Sequence, residues 1–254
     1  MLHAFAVALG LLTRLPVRLH TTPSGAAQGL AVATYPLVGL LLGLLLWLFT
    51  WLLVALQAPP LLAAALLVVL WTGLTGALHL DGLADSADAW LGAHGDRERA
   101  LAIMKDPACG PAGVVALLLV LLVKTAALAA LLAAAAPTWL LLIPLVLGRS
   151  ACAMLFLCLT YARESGLGTE AARHLHRPLT WGLAGGAALA VCLPAGRAGL
   201  LALAGAGLVF VLACRLMQRL IGGFTGDTAG ALVETIEAVA LTAVALILAG
   251  PDSA

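Results

Sequence analysis

The chain has 254 residues, of which 63% are hydrophobic and only 10% charged, whereas an ordinary soluble domain carries about 25% charged residues. This composition does not fit a water-soluble fold. The formal net charge of +1 provides no basic surface for nucleic acid, so nucleic-acid binding is excluded as well.

Apolar runs long enough to cross a bilayer recur along the chain. A transmembrane helix needs about 20 apolar residues to span a hydrocarbon core of about 30 Å. Seven such runs lie at residues 36–56, 60–79, 112–135, 138–160, 180–196, 198–214 and 230–250. The sequence therefore predicts an all-α, polytopic integral membrane bundle of about seven transmembrane helices, with residues 1–254 forming one membrane-embedded domain.

The distribution of Lys and Arg predicts the orientation of this bundle. Ten of these residues fall in segments on one side of the predicted spans, and Arg197 alone falls on the other side. Because Lys and Arg are retained on the cytoplasmic side of membranes, the N-terminus is expected to be cytoplasmic and the C-terminus to lie outside.

A stripe of carboxylates lies at the predicted cytoplasmic end of the second run. Asp81, Asp85 and Asp88 fall within about 60° on one face of a helix, and no Lys or Arg alternates with them. Carboxylates that lie close together without a basic side chain between them repel each other, and a bound divalent ion would relieve this repulsion. Oxygen ligands favour Mg²⁺ or Mn²⁺. In the alternative interpretation, Asp81 caps a helix and the other two face water. His79 is a ligand, a base or an interfacial histidine.

A second acidic face opens the last run. Asp227, Glu234 and Glu237 share one helical face, and because glutamates are costly in lipid we expect them to face a protein interior or a wet cavity. Gly222, Gly223 and Gly226 precede them. Such glycines allow a tight turn before a helix N-terminus, which attracts phosphate, although glycine also packs membrane helices closely.

The segment 96–107 is predicted to be a short amphipathic helix with Asp96 as its N-cap. It is either a solvated cytoplasmic helix or part of the site. In the second case Lys105 is a phosphate partner and Asp106 a further ligand or base. Lys124 and Arg149 lie inside predicted spans, where a charge is costly and faces a partner or a pathway.

Four separated segments closely resemble the cobalamin synthase family, the adenosylcobinamide-GDP ribazoletransferases. They are HLDGLADSADAW at 79–90, DRERALAIMKDPACGPAGVVALLLVLLVK at 96–124, YARESGLG at 161–168 and GGFTGDTAGALVETIE at 222–237. The resemblance covers nearly the whole chain. It implies a transferase of phosphorus-containing groups in cobalamin biosynthesis, which joins adenosylcobinamide-GDP to α-ribazole or its 5′-phosphate and releases GMP.

The resemblance, taken together with the acidic faces, also assigns roles to residues. Mg²⁺ is the expected cofactor, held by Asp81, Asp85, Asp88 and Asp227. Asp106 or Glu234 is expected to be the general base. Phosphate contacts are expected from the following residues: Lys105, Arg149, Gly223 and Gly226.

The expected location is the bacterial inner membrane, with the active site facing the cytoplasm. A homo-oligomer and a complex with other corrinoid-pathway enzymes both stay open. One alternative is another metal-dependent membrane phosphotransferase of the CDP-alcohol type. Against it, Asp81-Gly82 is followed by Ala84-Asp85 and lacks the arginine typical of that class. A second alternative is a cation-coupled transporter that uses the acidic faces as an ion site.

Overall fold

The protein is mainly helical in the part of the chain that the structure, a computed structural model, describes: residues 1–19, 21–163 and 167–248. Its α-helices are α1 (Leu2–Leu12), α2 (Gly25–Ala33), α3 (Tyr35–Ala55), α4 (Pro60–Thr75), α5 (Leu78–Gly92), α6 (Arg97–Ile103), α7 (Pro111–Ala133), α8 (Leu142–Cys158), α9 (Leu167–Arg173), α10 (Arg177–Cys192), α11 (Gly196–Ile221) and α12 (Gly226–Leu248). Short 3₁₀ turns, Thr138–Leu141 and Leu193–Ala195, precede α8 and α11. The helices confirm a polytopic helical membrane protein.

Five continuous helical runs in the described residues are long and apolar enough to cross a membrane. They are α3, α7, α8 with its 3₁₀ turn, Arg177–Ile221, and α12. The bent pair of α4 and α5 provides a sixth candidate.

The run Arg177–Ile221 folds back on itself. Gly196, with φ of 56°, separates α10 from α11. The Arg177 guanidinium donates to the Leu157 carbonyl, and the backbone N–H of Phe224, just after α11, donates to the carbonyl of Thr160. Because both ends of the run lie beside the end of α8, α10 and α11 are two separate crossings. Five runs, or six with the bent pair, meet the criteria of length and composition, so the predicted number of about seven is reached only when α10 and α11 are counted separately.

The second predicted span is broken. α4 ends at Thr75, and α5 leaves at 89° to it, so the predicted run 60–79 does not continue as one helix. Gly76 and Ala77 both have positive φ, 62° and 58°, which terminates α4 in the left-handed region that glycine favours. The side chain of Arg14 packs on Gly76 and leaves no room there for a β-carbon.

The last helix, α12, lies at the centre of the bundle and packs on α5, α7, α8 and α11. Most of its residues are buried, including Leu232, Val233, Ile236 and Leu241. α8 packs on its other side against α3, where Gly39 meets the backbone of Leu145. Small residues at such crossings let membrane helices approach closely.

Two loops are joined at the charged end of the bundle. The Ala162 N–H donates to the carbonyl of Phe224 at 2.8 Å, and the Phe224 N–H donates to that of Thr160 at 3.0 Å. The ring of Tyr161 packs edge-to-face on Phe224 with centroids 5.3 Å apart. The loop after α8 is thereby fixed to the loop before α12.

Candidate functional site

The site is built where α5 crosses the beginning of α12. A β-carbon added at Gly82 would lie 2.6 Å from the carbonyl oxygen of Asp227, and one added at Gly230 would lie 3.1 Å from Cα of His79. The two glycines therefore bring the helix backbones into contact. This contact sets the Asp227 end of α12 beside the acidic face of α5.

Three carboxylates gather at this crossing. Asp81 and Asp85 are one turn apart on α5, and Asp81 is exposed. The charges of Asp81, Asp227 and Asp88 all act on the carboxylate of Asp85, and Arg163 is the cation that opposes them. The predicted proximity of the α5 stripe to Asp227, more than a hundred residues away, is present in the structure.

Asp227 is held by two donors on one oxygen. The Arg163 guanidinium donates to its Oδ2 at 2.6 Å, and the hydroxyl of Thr225 donates to the same atom at 3.1 Å. Within the described residues, Oδ1 accepts no hydrogen bond. About a fifth of the Asp227 side chain is exposed, so the side chain is partly accessible from solvent.

Asp88 makes a different contact from Asp81 and Asp85. Its Oδ2 accepts a hydrogen bond from the N–H of Gly110 at 2.7 Å, and its Oδ1 accepts one from Gly113 at 2.9 Å. These are the N-cap and the third residue of α7, whose free N–H groups and positive dipole attract a carboxylate. Asp88 thus anchors the N-terminus of α7 to α5, a role that the sequence prediction of a metal ligand did not include.

The donor chemistry of the crossing suits a hard cation, since all its charged ligands are carboxylate oxygens. In the side-chain positions of the described residues, no three Asp, Glu, His or Cys side chains converge closely enough to hold an ion. Ion binding at the crossing would therefore require these carboxylate side chains to rearrange.

The glycine-rich loop has two parts with different roles. Gly222 ends α11 with φ of 70°, and Gly223 is buried so tightly on the carbonyl of Thr160 that no side chain fits. Gly226 is exposed, with nothing within 4 Å of a β-carbon there, and begins α12. The helix N-terminus predicted from the sequence is confirmed, and Gly226 is its accessible residue.

The loop that carries Lys105 and Asp106 follows α6. Asp96 caps α6 as predicted, since its side chain accepts hydrogen bonds from the N–H groups of Glu98 and Arg99. Lys105 and Asp106 are both exposed, and Asp106 accepts a hydrogen bond from the N–H of Ala108 at 2.9 Å. Among the described residues, neither side chain forms a salt bridge, so no ionic contact links either of them to the crossing.

A second ionic cluster is buried near the middle of the spans. The Lys124 ammonium lies 2.5 Å from a carboxylate oxygen of Glu234 and 2.5 Å from one of Glu237, and Arg149 pairs with the other oxygen of Glu237. The Lys124 ammonium also lies 4.4 Å from the ring centroid of Trp71. Two cations balance two carboxylates, as burial of charge in a membrane requires.

Two residues to which the sequence analysis assigned roles at the active site belong to this buried cluster instead. Arg149 is fully buried, so it faces Glu237 and not a phosphate at the surface. Glu234 is 3% exposed and bonded to Lys124, which separates it from solvent. Both glutamates face the protein interior, which confirms that part of the sequence prediction.

Arg163 is the residue that the sequence analysis missed as a site residue. The sequence analysis used Arg163 only as one of the basic residues that predict the orientation of the bundle. Nothing in the local sequence indicates that it pairs with Asp227. Burial raises the pKa of the neighbouring Tyr161 above its ordinary value. Part of the same segment, residues 164–166, lies outside the described residues.

Sequence comparisons decide the family. A model of the cobalamin-5-phosphate synthase family matches residues 4–245. The chain belongs to this family. It is similar to the adenosylcobinamide-GDP ribazoletransferase of Pseudomonas paraeruginosa, with 55% identity over 96% of this chain and 98% of that protein. The enzyme of the same name from Stutzerimonas stutzeri is 52% identical over 94% of this chain and 96% of its own. No solved structure matches the chain.

The family match extends over every element described above. It includes α5, the α8–α9 loop and nearly all of α12. The acidic crossing and the buried ionic cluster therefore both lie within the part of the chain that the family model matches.

Proposed function

We propose that this chain catalyses the final joining step of cobalamin synthesis. Adenosylcobinamide-GDP and α-ribazole, or its 5′-phosphate, are combined and GMP is released. The relatives that match nearly the full length of the chain carry the name of this activity. The observation that carries the proposal within the structure is the crossing that assembles Asp81, Asp85 and Asp227 beside an accessible helix N-terminus.

The reaction is a displacement at phosphorus. A ribose hydroxyl of ribazole attacks the phosphorus bonded to cobinamide, the anhydride bond to GMP breaks, and the hydroxyl proton passes to a base. The main demands are neutralisation of phosphate charge and alignment of the attacking oxygen. A site at the membrane surface meets both demands without a path across the bilayer.

The carboxylate oxygens of Asp81, Asp85 and Asp227 are the donors that we propose for Mg²⁺, and their side chains would have to converge further to hold it. When bound, it would supply positive charge to the pyrophosphate and to the departing GMP. Asp88 supports the site indirectly, because its two hydrogen bonds fix the beginning of α7 against α5.

The phosphate contacts of the proposal come from accessible cationic or N–H groups. Arg163 is partly exposed and already in contact with Asp227, and Gly226 presents the N-terminus of α12. Lys105 is an exposed cation in the loop after α6. Of the two carboxylates considered as general base, Asp106 is the candidate, because Glu234 is buried against Lys124.

The proposed location is the bacterial inner membrane, with the acidic crossing on the cytoplasmic side. Helix α6 and the loops at this end of the bundle contain Arg97, Arg99, Lys105 and Arg163, and basic residues are retained in the cytoplasm. Water-soluble nucleotide substrates would then reach the site directly from the cytosol.

Purified protein in detergent provides the test. With adenosylcobinamide-GDP, α-ribazole and Mg²⁺, GMP should appear in equal amount to the corrinoid product, measured by liquid chromatography and mass spectrometry. Omission of α-ribazole should abolish GMP release. Absence of the product from folded protein, or release of CMP from a CDP-alcohol in its place, would contradict the proposal.

A further inference from the structure

A long apolar groove runs along α12 between α7 and α11. At the end near the acidic crossing it forms a cavity of about 680 Å³, with Leu212, Leu216 and Ala231 among its walls. A second cavity of about 430 Å³ continues toward the other end as far as Leu246. Thr235 borders both cavities, so they form one groove.

The mouth of this groove carries positive charge. Arg215 and Arg219 lie one turn apart on α11, both exposed and both bordering the wider cavity. Within the described residues, neither has a carboxylate partner. Ser86 also lines the cavity, and its buried hydroxyl has no hydrogen-bond partner among the described residues.

An aromatic residue marks the level of the membrane surface at the mouth. Trp90 borders the cavity and is 57% exposed. Tryptophan concentrates at the headgroup level of bilayers, and basic pockets between helices on the cytoplasmic side bind anionic lipid headgroups. The charged mouth and the apolar length of the groove therefore match the two ends of a phospholipid.

We propose that this groove binds one anionic phospholipid. Its phosphate contacts Arg215 and Arg219, and its acyl chains lie along α12 between α7 and α11. The combined volume of the two cavities equals that of a large ligand-binding pocket, and the walls are almost entirely apolar. A nucleotide substrate would find few polar partners along these walls.

The lipid would contact the face of α5 that lies opposite the carboxylates of the acidic crossing. On α5, Leu83, Ala87 and Trp90 border the groove, whereas the acidic residues project about 180° away, from the opposite face. A bound lipid therefore supports the face of α5 that does not carry the carboxylates. Its presence should increase turnover, and this part of the inference rests on the proposed function.

Lipid retention tests the site independently of activity. Protein reconstituted with phosphatidylglycerol and phosphatidylcholine, then returned to detergent, should retain one phosphatidylglycerol in native mass spectra. The double variant Arg215→Gln/Arg219→Gln should bind it about thirtyfold more weakly, given the contribution of each basic residue near an anionic surface. The matched double variant Arg18→Gln/Arg99→Gln, two exposed arginines away from the groove, should retain it. Equal retention by both double variants would overturn the proposal, as would displacement of the lipid by inorganic phosphate.

Filling the groove provides the second variant pair. Ala213→Phe places a ring in the wider cavity, whereas Ala204→Phe adds the same ring to an exposed position of α11 outside it. Only the first should lose the lipid and the threefold or greater stimulation of GMP release, about the scale of a weak allosteric coupling, that we expect from phosphatidylglycerol nanodiscs. Unchanged stimulation in Ala213→Phe would refute the regulatory role. Wild-type protein that binds the lipid but is inactive in every membrane would instead refute the proposed function.

Discussion

Gly82 on α5 and Asp227 on α12 are in backbone contact. A β-carbon at position 82 would lie 2.6 Å from the carbonyl oxygen and 2.9 Å from Cα of Asp227. Both atoms belong to the backbone, so no side-chain rotation can relieve the overlap. The distance between the acidic face of α5 and the start of α12 therefore depends on the absence of a side chain at Gly82.

The substitution Gly82→Ala should separate the two helices by a fraction of an ångström and reduce turnover. Misplacement of reacting groups by about 1 Å can cost about a hundredfold in rate, so we expect a loss of at least about tenfold. The initial rate of GMP release measures it. The KM for α-ribazole distinguishes weaker substrate binding from slower chemistry.

Gly182→Ala is the matched control. Gly182 is exposed on α10, and a β-carbon there would meet nothing within 4 Å. This variant should retain wild-type activity. Equal activity of Gly82→Ala and Gly182→Ala would show that the site does not depend on the α5–α12 crossing.

Removal of a single negative charge at the crossing should reduce activity and weaken the metal dependence. Changing Asp81, Asp85 or Asp227 to Asn retains the volume but supplies a poorer ligand for a hard cation. We expect turnover to fall by about a hundredfold or more, as for the loss of one preorganised transition-state contact. The Mg²⁺ concentration for half-maximal activity should rise in each variant.

Asp88→Asn should behave differently, because Asp88 holds two backbone N–H groups of α7. An amide has one acceptor oxygen, so one N–H loses its partner. The expected cost is about 1 to 2 kcal/mol of stability, the range for a helix cap, measured by thermal unfolding in detergent. A raised Mg²⁺ requirement with unchanged stability would return Asp88 to the set of metal ligands.

The buried ionic cluster should be sensitive to the balance of its charges. Lys124→Met leaves two carboxylates facing Arg149 alone, and removal of one partner of a buried ion pair costs about 3 kcal/mol or more. The midpoint of thermal unfolding should therefore fall. The double variant Lys124→Met/Glu234→Gln leaves the balanced pair Arg149 and Glu237, so it should recover part of the loss.

Lys105→Met removes the same charge from an exposed loop and should leave the unfolding midpoint unchanged. If the double variant were less stable than Lys124→Met alone, charge balance would not be what stabilises the cluster. The direct contacts of Lys124 would then explain its effect.

The sequence was sufficient to predict the long helices and the two acidic faces. Apolar length fixes a spanning helix, and the 3.6-residue period places Asp81 and Asp85 on one face. The cap at Asp96 also follows from local residue preference. These features depend on residues close together in the chain, where geometry is nearly determined by spacing.

The break between α4 and α5 and the partners of the charges could not be predicted in this way. Ala77 adopts a left-handed conformation that alanine disfavours, and it is stabilised by packing that only the fold supplies. Asp88 lies on the same helical face as Asp81 and Asp85, and its spacing predicted a metal ligand. In the structure it accepts a hydrogen bond from the N–H of Gly110 instead. Arg163 meets Asp227 because the loops on either side of α9 to α11 are joined at Phe224, a contact between distant parts of the chain.

The orientation of the bundle can be tested through Cys109, an exposed cysteine beside the start of α7. In a variant with the other four cysteines replaced, Cys109 should resist a membrane-impermeant maleimide in right-side-out spheroplasts and react after permeabilisation. The reason is that the loops around the acidic crossing carry the basic residues retained in the cytoplasm.

Ala134→Cys, with Cys109 also replaced, is the matched probe, because Ala134 is exposed at the opposite end of α7. It should react in intact spheroplasts. Reaction of Cys109 in intact cells with protection of Cys at position 134 would reverse the orientation and place the acidic crossing outside the cytoplasm, where nucleotide substrates could not reach it.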